Sequence, residues 1–302
     1  MKVGIYTNII KDKGLEITRK LVALLKKRNF DYYLFSNVAE TLRGEKYFYE
    51  ADYAFLDVMI TIGGDGTVLN IAKDCVKHSI PMLSINKGSK GFLNEIELDE
   101  LERVFEILDG EYKIDRRRLI SVTVTKGEVK KSGKLKGATR DADADANGKK
   151  GGKKIFYALN EAYITRISTG KMIYLNAKIE NHLLEQYYCD GLIVSSATGS
   201  TAYSLSAGGP VISPKAEVIC LTPVCPHTLH SRPIILNDRE RVQVLLGADY
   251  DDAVLVVDGV TACGISASDT VEISTSNKSI DFLRLKESNF YAKLLDKISG
   301  LV

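Results

Sequence analysis

The 302-residue chain is long enough for one large domain or two domains of ordinary size. Hydrophobic residues make up 45% of it, enough to fill a core, and the formal net charge is only +2 at pH 7. This balance argues against a dedicated nucleic-acid-binding protein, in which a concentrated basic face is expected. Because no apolar run has membrane-spanning or signal-peptide character, we expect a cytosolic protein without a membrane partner. Five cysteines without a C-x-x-C pair indicate neither a disulfide framework nor a zinc site.

Strand-like and helix-like segments alternate over the first third of the chain. Strands are predicted at residues 3–6, 32–35, 58–62 and 82–85, and helices at 15–28, 67–78 and 98–108. Alternation of this kind predicts a parallel sheet covered by helices, with ligands bound at the carboxyl ends of the strands.

Beyond residue 110, short apolar runs follow one another with few helical patterns between them. Strands are predicted at 119–125, 155–159, 173–179, 192–195, 218–221, 242–246, 254–257 and 271–273. The sequence therefore predicts an α/β plus β fold, in which an N-terminal Rossmann-like α/β domain precedes a C-terminal β-rich, sandwich-like domain. We assign residues 1–110 and about 278–302 to the first domain and 111–277 to the second.

Residues 126–154 differ from their surroundings because they are rich in Lys, Gly, Ala and Asp and nearly free of large apolar side chains. A segment of this composition cannot bury a core, so we predict a mobile insertion between two strands. Asp141, Asp143 and Asp145 resemble the start of an EF-hand loop. Ala146 stands where such a loop needs glycine, so no calcium site is predicted.

The most informative segment, residues 60–69, reads Ile-Thr-Ile-Gly-Gly-Asp-Gly-Thr-Val-Leu. It joins a predicted strand to a predicted helix, so its glycines lie on a turn where backbone N–H groups can approach a phosphate. A carboxylate repels phosphate, so Asp65 needs another role. It either holds a metal ion or accepts a proton from an attacking hydroxyl, and both roles indicate phosphoryl transfer. The alternative is that Asp65 only caps the following helix.

Two well-known nucleotide-binding motifs are absent from this turn. The P-loop requires a lysine that does not follow Gly66 at the right position. The dinucleotide fingerprint fails because Leu69 stands at the place of its third glycine. The glycine turn is therefore neither a P-loop nor a Rossmann fingerprint.

Two further stretches combine polar residues with strand ends. Residues 86–94 follow the strand after the glycine turn, so they should lie beside Asp65; Phe92 there either covers a flat ring or fills the core. In Leu159-Asn160-Glu161-Ala162, the amide and the carboxylate could read a purine edge and a ribose hydroxyl, or the asparagine could only start a turn.

A third stretch, residues 190–210, has a strand ending at Ser195, a small-residue turn at 197–201 and a short helix that stops at Gly208. It is thus a second strand–turn–helix unit with exposed N–H groups. A chain with two such loops could hold a ligand with several phosphates, or two nucleotides.

Together these stretches resemble the NAD kinase family. The matching motifs occur in the family's order: Gly63-Gly64-Asp65-Gly66-Thr67, Gly91-Phe92-Leu93, Leu159-Asn160-Glu161-Ala162, Asp190-Gly191, and Thr198-Gly199-Ser200-Thr201-Ala202-Tyr203. Pro226-His227-Thr228, Arg232-Pro233 and Asp258-Gly259 resemble its later landmarks.

The resemblance implies Mg²⁺-dependent transfer of the γ-phosphoryl group of ATP, or of polyphosphate, to the 2′-hydroxyl of the adenosine ribose of NAD, giving NADP. It also implies a homodimer or homotetramer. Asp65 would be the general base, Asn160 would bind adenine and Glu161 a ribose hydroxyl. The other implied NAD-binding residues are Gly66, Phe92, Lys171, Tyr188, Asp190, Thr198, Thr201, Ala202, Tyr203 and Ser206. The implied phosphate-donor loop comprises Gly63, Gly64, Gly66, Thr67 and Asn70, and no residue is assigned as a direct metal ligand.

Three other classes of protein are alternatives to an NAD kinase. A diacylglycerol-type lipid kinase shares Gly-Gly-Asp-Gly but would need a lipid acceptor and has no use for Asn160 and Glu161. An NAD-dependent dehydrogenase would need the missing Rossmann fingerprint. A non-catalytic dinucleotide sensor would keep the binding residues but has little reason to keep Asp65.

Overall fold

The computed structural model describes residues 1–302 except positions 39, 50–51, 89–90, 128–151, 169, 229, 249–252 and 300–302. Most of the predicted insertion, including Asp141, Asp143 and Asp145, lies outside the described residues. The chain divides into two compact units, Met1–Arg118 with Asn277–Val302 and Leu119–Ser276. Each unit is built around its own buried apolar cluster.

The first unit contains a parallel sheet with helices. Its elements up to the first boundary are β1 (Lys2–Thr7), α1 (Glu16–Lys27), β2 (Asp31–Phe35), β3 (Tyr47–Phe48), β4 (Val58–Gly63), α2 (Asp65–His78), β5 (Met82–Asn86) and α3 (Val104–Leu108). The strand order is β3-β2-β1-β4-β5, and every neighbouring pair is parallel. Short 3-10 turns occupy Lys13–Leu15, Ser36–Val38, Tyr53–Phe55 and Leu98–Arg103.

Strand β4 explains where the glycine turn lies. Its six residues are all buried, as expected of a central parallel strand rich in β-branched residues. Gly63 at its end pairs with Asn86 at the end of β5, and Lys87 N–H donates to the Gly63 carbonyl at 2.8 Å. This register brings the turn and the 86–94 segment to the same edge of the sheet, as predicted from the chain order.

The predicted helix at residues 98–108 is wrong in part. A 3-10 turn covers Leu98–Arg103, and Glu100 departs from helical geometry at φ −106° and ψ 19°. Only α3, in which Val104, Phe105, Ile107 and Leu108 are buried, is α-helical. A short α-helix depends on tertiary packing, and only this part of the segment buries a continuous apolar face.

The second unit is composed almost entirely of strands. They are β6 (Lys113–Thr125), β7 (Lys153–Ala158), β8 (Glu161–Arg166), β9 (Ile173–Ile179), β10 (His182–Cys189), β11 (Gly191–Ser196), the single-turn helix α4 (Tyr203–Ser206), β12 (Val218–Val224), β13 (Ile234–Asn237), β14 (Val242–Leu246), β15 (Ala253–Val257), β16 (Val260–Ile265) and β17 (Thr270–Arg284). Helix α5 (Phe290–Ser299) then belongs to the first unit, where the end of β17 pairs in parallel with β5.

Two sheets enclose the core of the second unit. One has the order β10-β9-β14-β17, and the other has the order β13-β12-β11-β8-β15-β16 with antiparallel neighbours throughout. Leu175 and Val244 of the first sheet share a buried cluster with Ile164 and Leu221 of the second. The predicted fold class, a Rossmann-like α/β domain followed by a β-rich, sandwich-like domain, is confirmed.

Four strands of the second unit, β8, β10, β13 and β16, were not predicted. Glu161 starts the central strand β8 rather than following a strand end, and β10 forms a sheet edge on which Leu183 and Leu184 are exposed. Among the described helices, none has both the length and the apolar composition needed to span a bilayer.

Candidate active site

The predicted site residues fall into two sets, one in each unit. The set in the first unit lies on the turn after β4, on α2 and on the loop after β5: Gly63, Gly64, Asp65, Gly66, Thr67, Asn70 and Phe92. The set in the second unit lies on or next to strands β8 to β11 and α4: Asn160, Glu161, Lys171, Tyr188, Asp190, Thr198, Thr201, Ala202, Tyr203 and Ser206.

The carboxylate of Asp65 is bound by the loop that follows β5. Its Oδ2 accepts the Phe92 N–H at 2.9 Å, and its Oδ1 accepts the Leu93 N–H at 3.2 Å and the Asn94 Nδ2–H at 2.9 Å. The N-cap of α2 is Gly64, whereas Asp65 is the first residue inside the helix. The capping interpretation of Asp65 is therefore wrong, because its side chain reaches across to another strand end.

The loop approaches Asp65 so closely that Gly91 has no room for a side chain. A Cβ placed on Gly91 would lie 2.0 Å from Asp65 Oδ1. The two carboxylate oxygens offer about four acceptor positions, of which the three contacts above use three. Among the described residues, therefore, one position on Oδ2 remains for a further donor.

The glycine turn is also lined by a residue that sequence reasoning missed. A Cβ on Gly64 would lie 2.4 Å from Lys11 Nζ, so the lysine ammonium lies over the backbone of the turn. The turn that carries Lys11 is anchored to the start of α2, because Asn8 Nδ2 donates to Thr67 Oγ1 at 3.1 Å. The sequence signal that could have identified Lys11 is the polar segment directly after β1, because that segment lies at the same edge of the sheet as the glycine turn.

The other predicted residues of this set differ in their surroundings. Gly63 packs against Thr67, whose Oγ1 would lie 2.2 Å from an added Cβ, whereas Gly66 and Asn70 are exposed. Phe92 is buried and packs on α5, with its ring 5.8 Å from that of Phe290 and 4.4 Å from Lys297 Nζ. In the described structure Phe92 therefore fills the core, the second of the two alternatives.

In the second unit, the backbone before β8 is held by a distant carboxylate. Asp258 accepts the N–H groups of Leu159, Asn160 and Glu161 at 2.8, 2.8 and 3.2 Å. Asp258 and Gly259 have φ of +48° and +80°, the conformation of a tight two-residue hairpin turn between β15 and β16. The Asp-Gly turn thus fixes the Asn-Glu pair in place.

Glu161 is a buried carboxylate with an unused oxygen. Its exposed fraction is 7%, and its Oε2 has no hydrogen-bond partner among the described residues. Burial, followed by the nearby charge of Asp258, raises the pKa of Glu161 to about 7, although an N–H from Tyr203 opposes this rise. A buried oxygen without a donor is costly, so Oε2 is suited to accept a ligand hydroxyl.

The turn after β11 packs directly on the same backbone. Ser196 N–H donates to the Asn160 carbonyl at 2.8 Å, and Ser196 Oγ donates to the Leu159 carbonyl at 2.6 Å. A Cβ on Gly199 would lie 2.1 Å from the Asn160 carbonyl oxygen. The Thr198–Thr201 turn and the Asn-Glu pair therefore form one rigid backbone arrangement.

Replacing Gly199 by alanine is expected to lower the free energy of unfolding by about 1–3 kcal/mol, because an added methyl group meets fixed backbone atoms. The matched control is Gly264→Ala, since Gly264 has open space around it. The measurement is urea unfolding of both variants. Equal stability of the two would show that the backbone around Asn160 yields to the methyl group.

Among the remaining predicted residues of this set, three contact neighbouring side chains. Tyr203 and Tyr163 make an edge-to-face contact at 5.1 Å, and Asp190 pairs with Arg166 at 2.8 Å. Tyr188 stacks on Tyr174 at 4.4 Å. Thr198 is buried, Thr201 and Ala202 are half-buried, and Lys171 and Ser206 are exposed.

Comparison with known proteins identifies related sequences over both units. The family model for the ATP-NAD kinase N-terminal domain matches residues 3–113, and the model for the ATP-NAD kinase C-terminal domain matches residues 159–285. The NAD kinase of Caldanaerobacter subterraneus is 36% identical over 301 residues, covering 99% of each chain. That of Caldicellulosiruptor saccharolyticus is 36% identical over 299 residues, also covering 99% of each chain.

Solved structures share the fold. A crystal structure of yeast NADH kinase complexed with NADH has a TM-score of 0.80 at 22% identity, covering 99% of this chain and 87% of the other. A crystal structure of an NAD kinase from Archaeoglobus fulgidus in complex with ATP has a TM-score of 0.73 at 22% identity, covering 99% of both chains.

The family models cover the segments that hold the site motifs. The glycine turn and the loop after β5 lie in the N-terminal match, and the Asn-Glu pair and the Thr198–Thr201 turn lie in the C-terminal match. Relatives above 30% identity also cover nearly the whole chain. The chain therefore belongs to the NAD kinase family and is an enzyme that phosphorylates NAD.

Proposed function

We propose that the chain transfers the γ-phosphoryl group of ATP to the 2′-hydroxyl of the adenosine ribose of NAD, giving NADP. The observation that carries this proposal is the Asp65 carboxylate at the start of α2, which three donors hold and which keeps one acceptor position among the described residues. A carboxylate in this state is suited to accept the proton of an attacking hydroxyl.

Asp65 acts as the general base in this proposal. The 2′-hydroxyl donates to the remaining position on Oδ2, and its proton passes to the carboxylate as the oxygen attacks the γ-phosphorus. The bond between the γ-phosphorus and the β–γ bridging oxygen breaks, and ADP leaves with that electron pair. Phosphoryl transfer depends mainly on positioning and charge stabilisation, so a base whose orientation is already fixed suits the reaction.

The donor phosphates bind at the glycine turn in this proposal. The first N–H groups of α2 have no partners within the helix and carry partial positive charge. The ammonium of Lys11 over Gly64 adds a full charge at the same place. Both features favour a triphosphate, and Gly63, Gly64, Gly66, Thr67 and Asn70 stay the predicted donor loop.

We propose that the nucleoside of NAD is recognised by the second set of residues. Glu161 Oε2 accepts a ribose hydroxyl, since it is buried and otherwise lacks a donor. Asn160 binds the adenine, and its backbone is fixed by Asp258. The other predicted NAD contacts stay predictions: Gly66, Phe92, Lys171, Tyr188, Asp190, Thr198, Thr201, Ala202, Tyr203 and Ser206.

In this proposal a Mg²⁺ ion enters with the nucleotide. The described residues contain no group of three His, Cys, Asp or Glu side chains able to hold a metal. Mg²⁺ in such enzymes binds largely through substrate phosphates and water. When bound, the ion neutralises charge on the phosphates, and no residue of the chain is assigned as its ligand. Assembly as a homodimer or homotetramer also stays a prediction.

The test is NADP formation from NAD and ATP, with and without Mg²⁺, detected by a dehydrogenase that accepts only the 2′-phosphorylated product. We expect NADP to form only when NAD, ATP and Mg²⁺ are all present. Product from polyphosphate in place of ATP would revise the donor. NAD binding without turnover would favour a dinucleotide sensor, and turnover with a lipid acceptor alone would favour a lipid kinase.

Replacing Lys11 by methionine is expected to raise the KM for ATP by about tenfold, since a charge-assisted contact contributes roughly 1.5–3 kcal/mol and this side chain is exposed. The KM for NAD should not change. Lys13→Met is the matched control, because Lys13 is an exposed lysine in the adjoining 3-10 turn. Equal ATP KM values for the two variants would exclude Lys11 from the donor site.

A further inference from the structure

The loop that binds Asp65 is held from its other side by the C-terminal segment of the chain. We call residues 91–95 the Asp65 loop. Its amide N–H groups at Phe92 and Leu93 face the Asp65 carboxylate. Its carbonyl oxygens face two cations, Arg284 at the end of β17 and Lys293 on α5.

The contacts to the carbonyl oxygens are short and numerous. Arg284 Nη1 donates to the Leu93 and Asn94 carbonyls at 2.9 and 3.2 Å, and its Nη2 donates to the Phe92 carbonyl at 3.5 Å. Lys293 Nζ donates to the Asn94 carbonyl at 2.7 Å. Each of the three residues that bind Asp65 therefore also has its carbonyl bound to a cation.

Two carboxylates balance these two cations. Glu95 Oε2 accepts from Lys293 at 2.6 Å, Arg284 at 3.1 Å and Ser288 at 3.1 Å, while Asp115 Oδ2 accepts Arg284 Nε at 3.1 Å. Arg284 is 3% exposed and Glu95 8% exposed. Burial alone would raise the pKa of Glu95, but Arg284 and Lys293 outweigh it and hold that pKa below its ordinary value. The Glu95 carboxylate is thus ionised and hydrogen-bonded at both oxygens, whereas burial, followed by the charge of Arg284, lowers the pKa of Lys293.

This arrangement has a physical consequence for Asp65. A cation on a carbonyl polarises the N–H of the same peptide unit, which belongs to the next residue, so Arg284 on the Phe92 carbonyl makes the Leu93 N–H a better donor to Asp65. Arg284 and Lys293 also fix the backbone of Asn94, whose side chain is another donor to Asp65. Both effects hold the Asp65 carboxylate in one orientation, although its described donors are Phe92, Leu93 and Asn94 rather than either cation.

We propose that Arg284 and Lys293 are positioning residues for Asp65, which act through the carbonyl groups of the Asp65 loop. This inference rests on the proposed role of Asp65 as the general base. Neither residue belongs to a motif of the glycine turn, and neither was predicted to be a site residue.

The test uses Lys293 because it is only half-buried, whereas loss of the fully buried Arg284 could prevent folding. Lys293→Met is expected to lower kcat by about 10- to 100-fold, the range that small misplacement of a reacting group produces. The KM values for NAD and ATP should stay within about twofold of wild type. Lys293→Arg should restore most of kcat, because it keeps a cation beside Asn94 and Glu95.

Lys286→Met is the matched control, since Lys286 is an exposed lysine of the same segment that pairs with Glu111. It should leave kcat unchanged. Hydrogen exchange should be faster in Lys293→Met at the amides of Phe92 and Leu93, but not in strand β2. Unchanged kcat in a folded Lys293→Met variant would overturn the inference.

A joint measurement with Asp65→Asn separates the inference from the proposed function. If Asp65→Asn abolishes turnover and Lys293→Met does not, the positioning role fails while the base assignment stands. If Asp65→Asn leaves turnover intact, the base assignment fails and the positioning role fails with it. An equal loss of kcat in Lys293→Met and Lys293→Arg would indicate a purely structural role for Lys293 and would also overturn the inference.

Discussion

Replacing Asp65 by asparagine is expected to lower kcat for NADP formation by about 10²–10⁴-fold, the usual contribution of a general base. Asparagine has nearly the same shape, and its Oδ1 can still accept from Leu93 and Asn94, but it cannot take up the proton of the hydroxyl. Its Nδ2 replaces the oxygen that accepts the Phe92 N–H, so one of the three contacts is lost and the other two keep the loop in place. NAD binding should therefore persist.

The measurement combines the NADP assay with calorimetric titration of NAD. Asp99→Asn is the control, because Asp99 is an exposed carboxylate of the same unit. We expect wild-type turnover from the control. Turnover of Asp65→Asn within a few-fold of wild type would exclude Asp65 as the base, whereas loss of both binding and turnover would assign it to substrate binding.

Replacing Glu161 by glutamine is expected to stabilise the unliganded protein at pH 8 and to weaken NAD binding there. The pKa of Glu161 rises from its ordinary 4.5 to about 7 in the folded state. Between these values the folded chain keeps a proton that the unfolded chain has lost, so stability falls as pH rises through this window. At roughly 1.4 kcal/mol per pKa unit, the full penalty above pH 7 is about 3 kcal/mol.

Glutamine resembles the protonated carboxyl group in shape and charge, so it removes that penalty. Urea unfolding should show a gain of up to about 3 kcal/mol at pH 8 and under about 1 kcal/mol at pH 5. In the wild-type protein, NAD affinity should increase as pH rises through 7, because the ionised Oε2 accepts the ribose hydroxyl more strongly. In Glu161→Gln this pH dependence should be absent.

Glu217→Gln is the control for both measurements, since Glu217 is an exposed carboxylate of the same unit. If the stability of Glu161→Gln changed between pH 5 and pH 8 by as much as that of the wild type, the elevated pKa assigned to Glu161 would be contradicted. Unchanged NAD affinity would contradict the role of Glu161 in binding the ribose.

The order of local elements is what the sequence predicts well in this protein. The buried run ending at Gly63, the glycine turn and the following helix are recognisable because hydrophobic spacing and glycine positions are local properties. The proximity of the glycine turn to residues 86–94 also follows from the order of the parallel strands, and the pairing of Gly63 with Asn86 confirms it. The motifs of the second unit are sufficient to indicate the family, which the comparisons confirm.

The partners of each site residue are decided only by tertiary structure. Arg284 and Leu93 lie 191 positions apart in the chain, and Asp258 and Asn160 lie 98 apart. No local pattern marks Arg284, Lys293 or Lys11, because each is an ordinary charged residue until folding places it beside a loop.

The sequence by itself determined the fold class, the strand–glycine turn–helix unit and the family, because each depends on spacing within short segments. The tertiary structure decided that Asp65 faces the 91–95 backbone rather than its own helix, and that Glu161 is buried with one unused oxygen. Burial and hydrogen bonding depend on residues brought together from distant parts of the chain. These long-range contacts orient the Asp65 carboxylate and raise the pKa of Glu161.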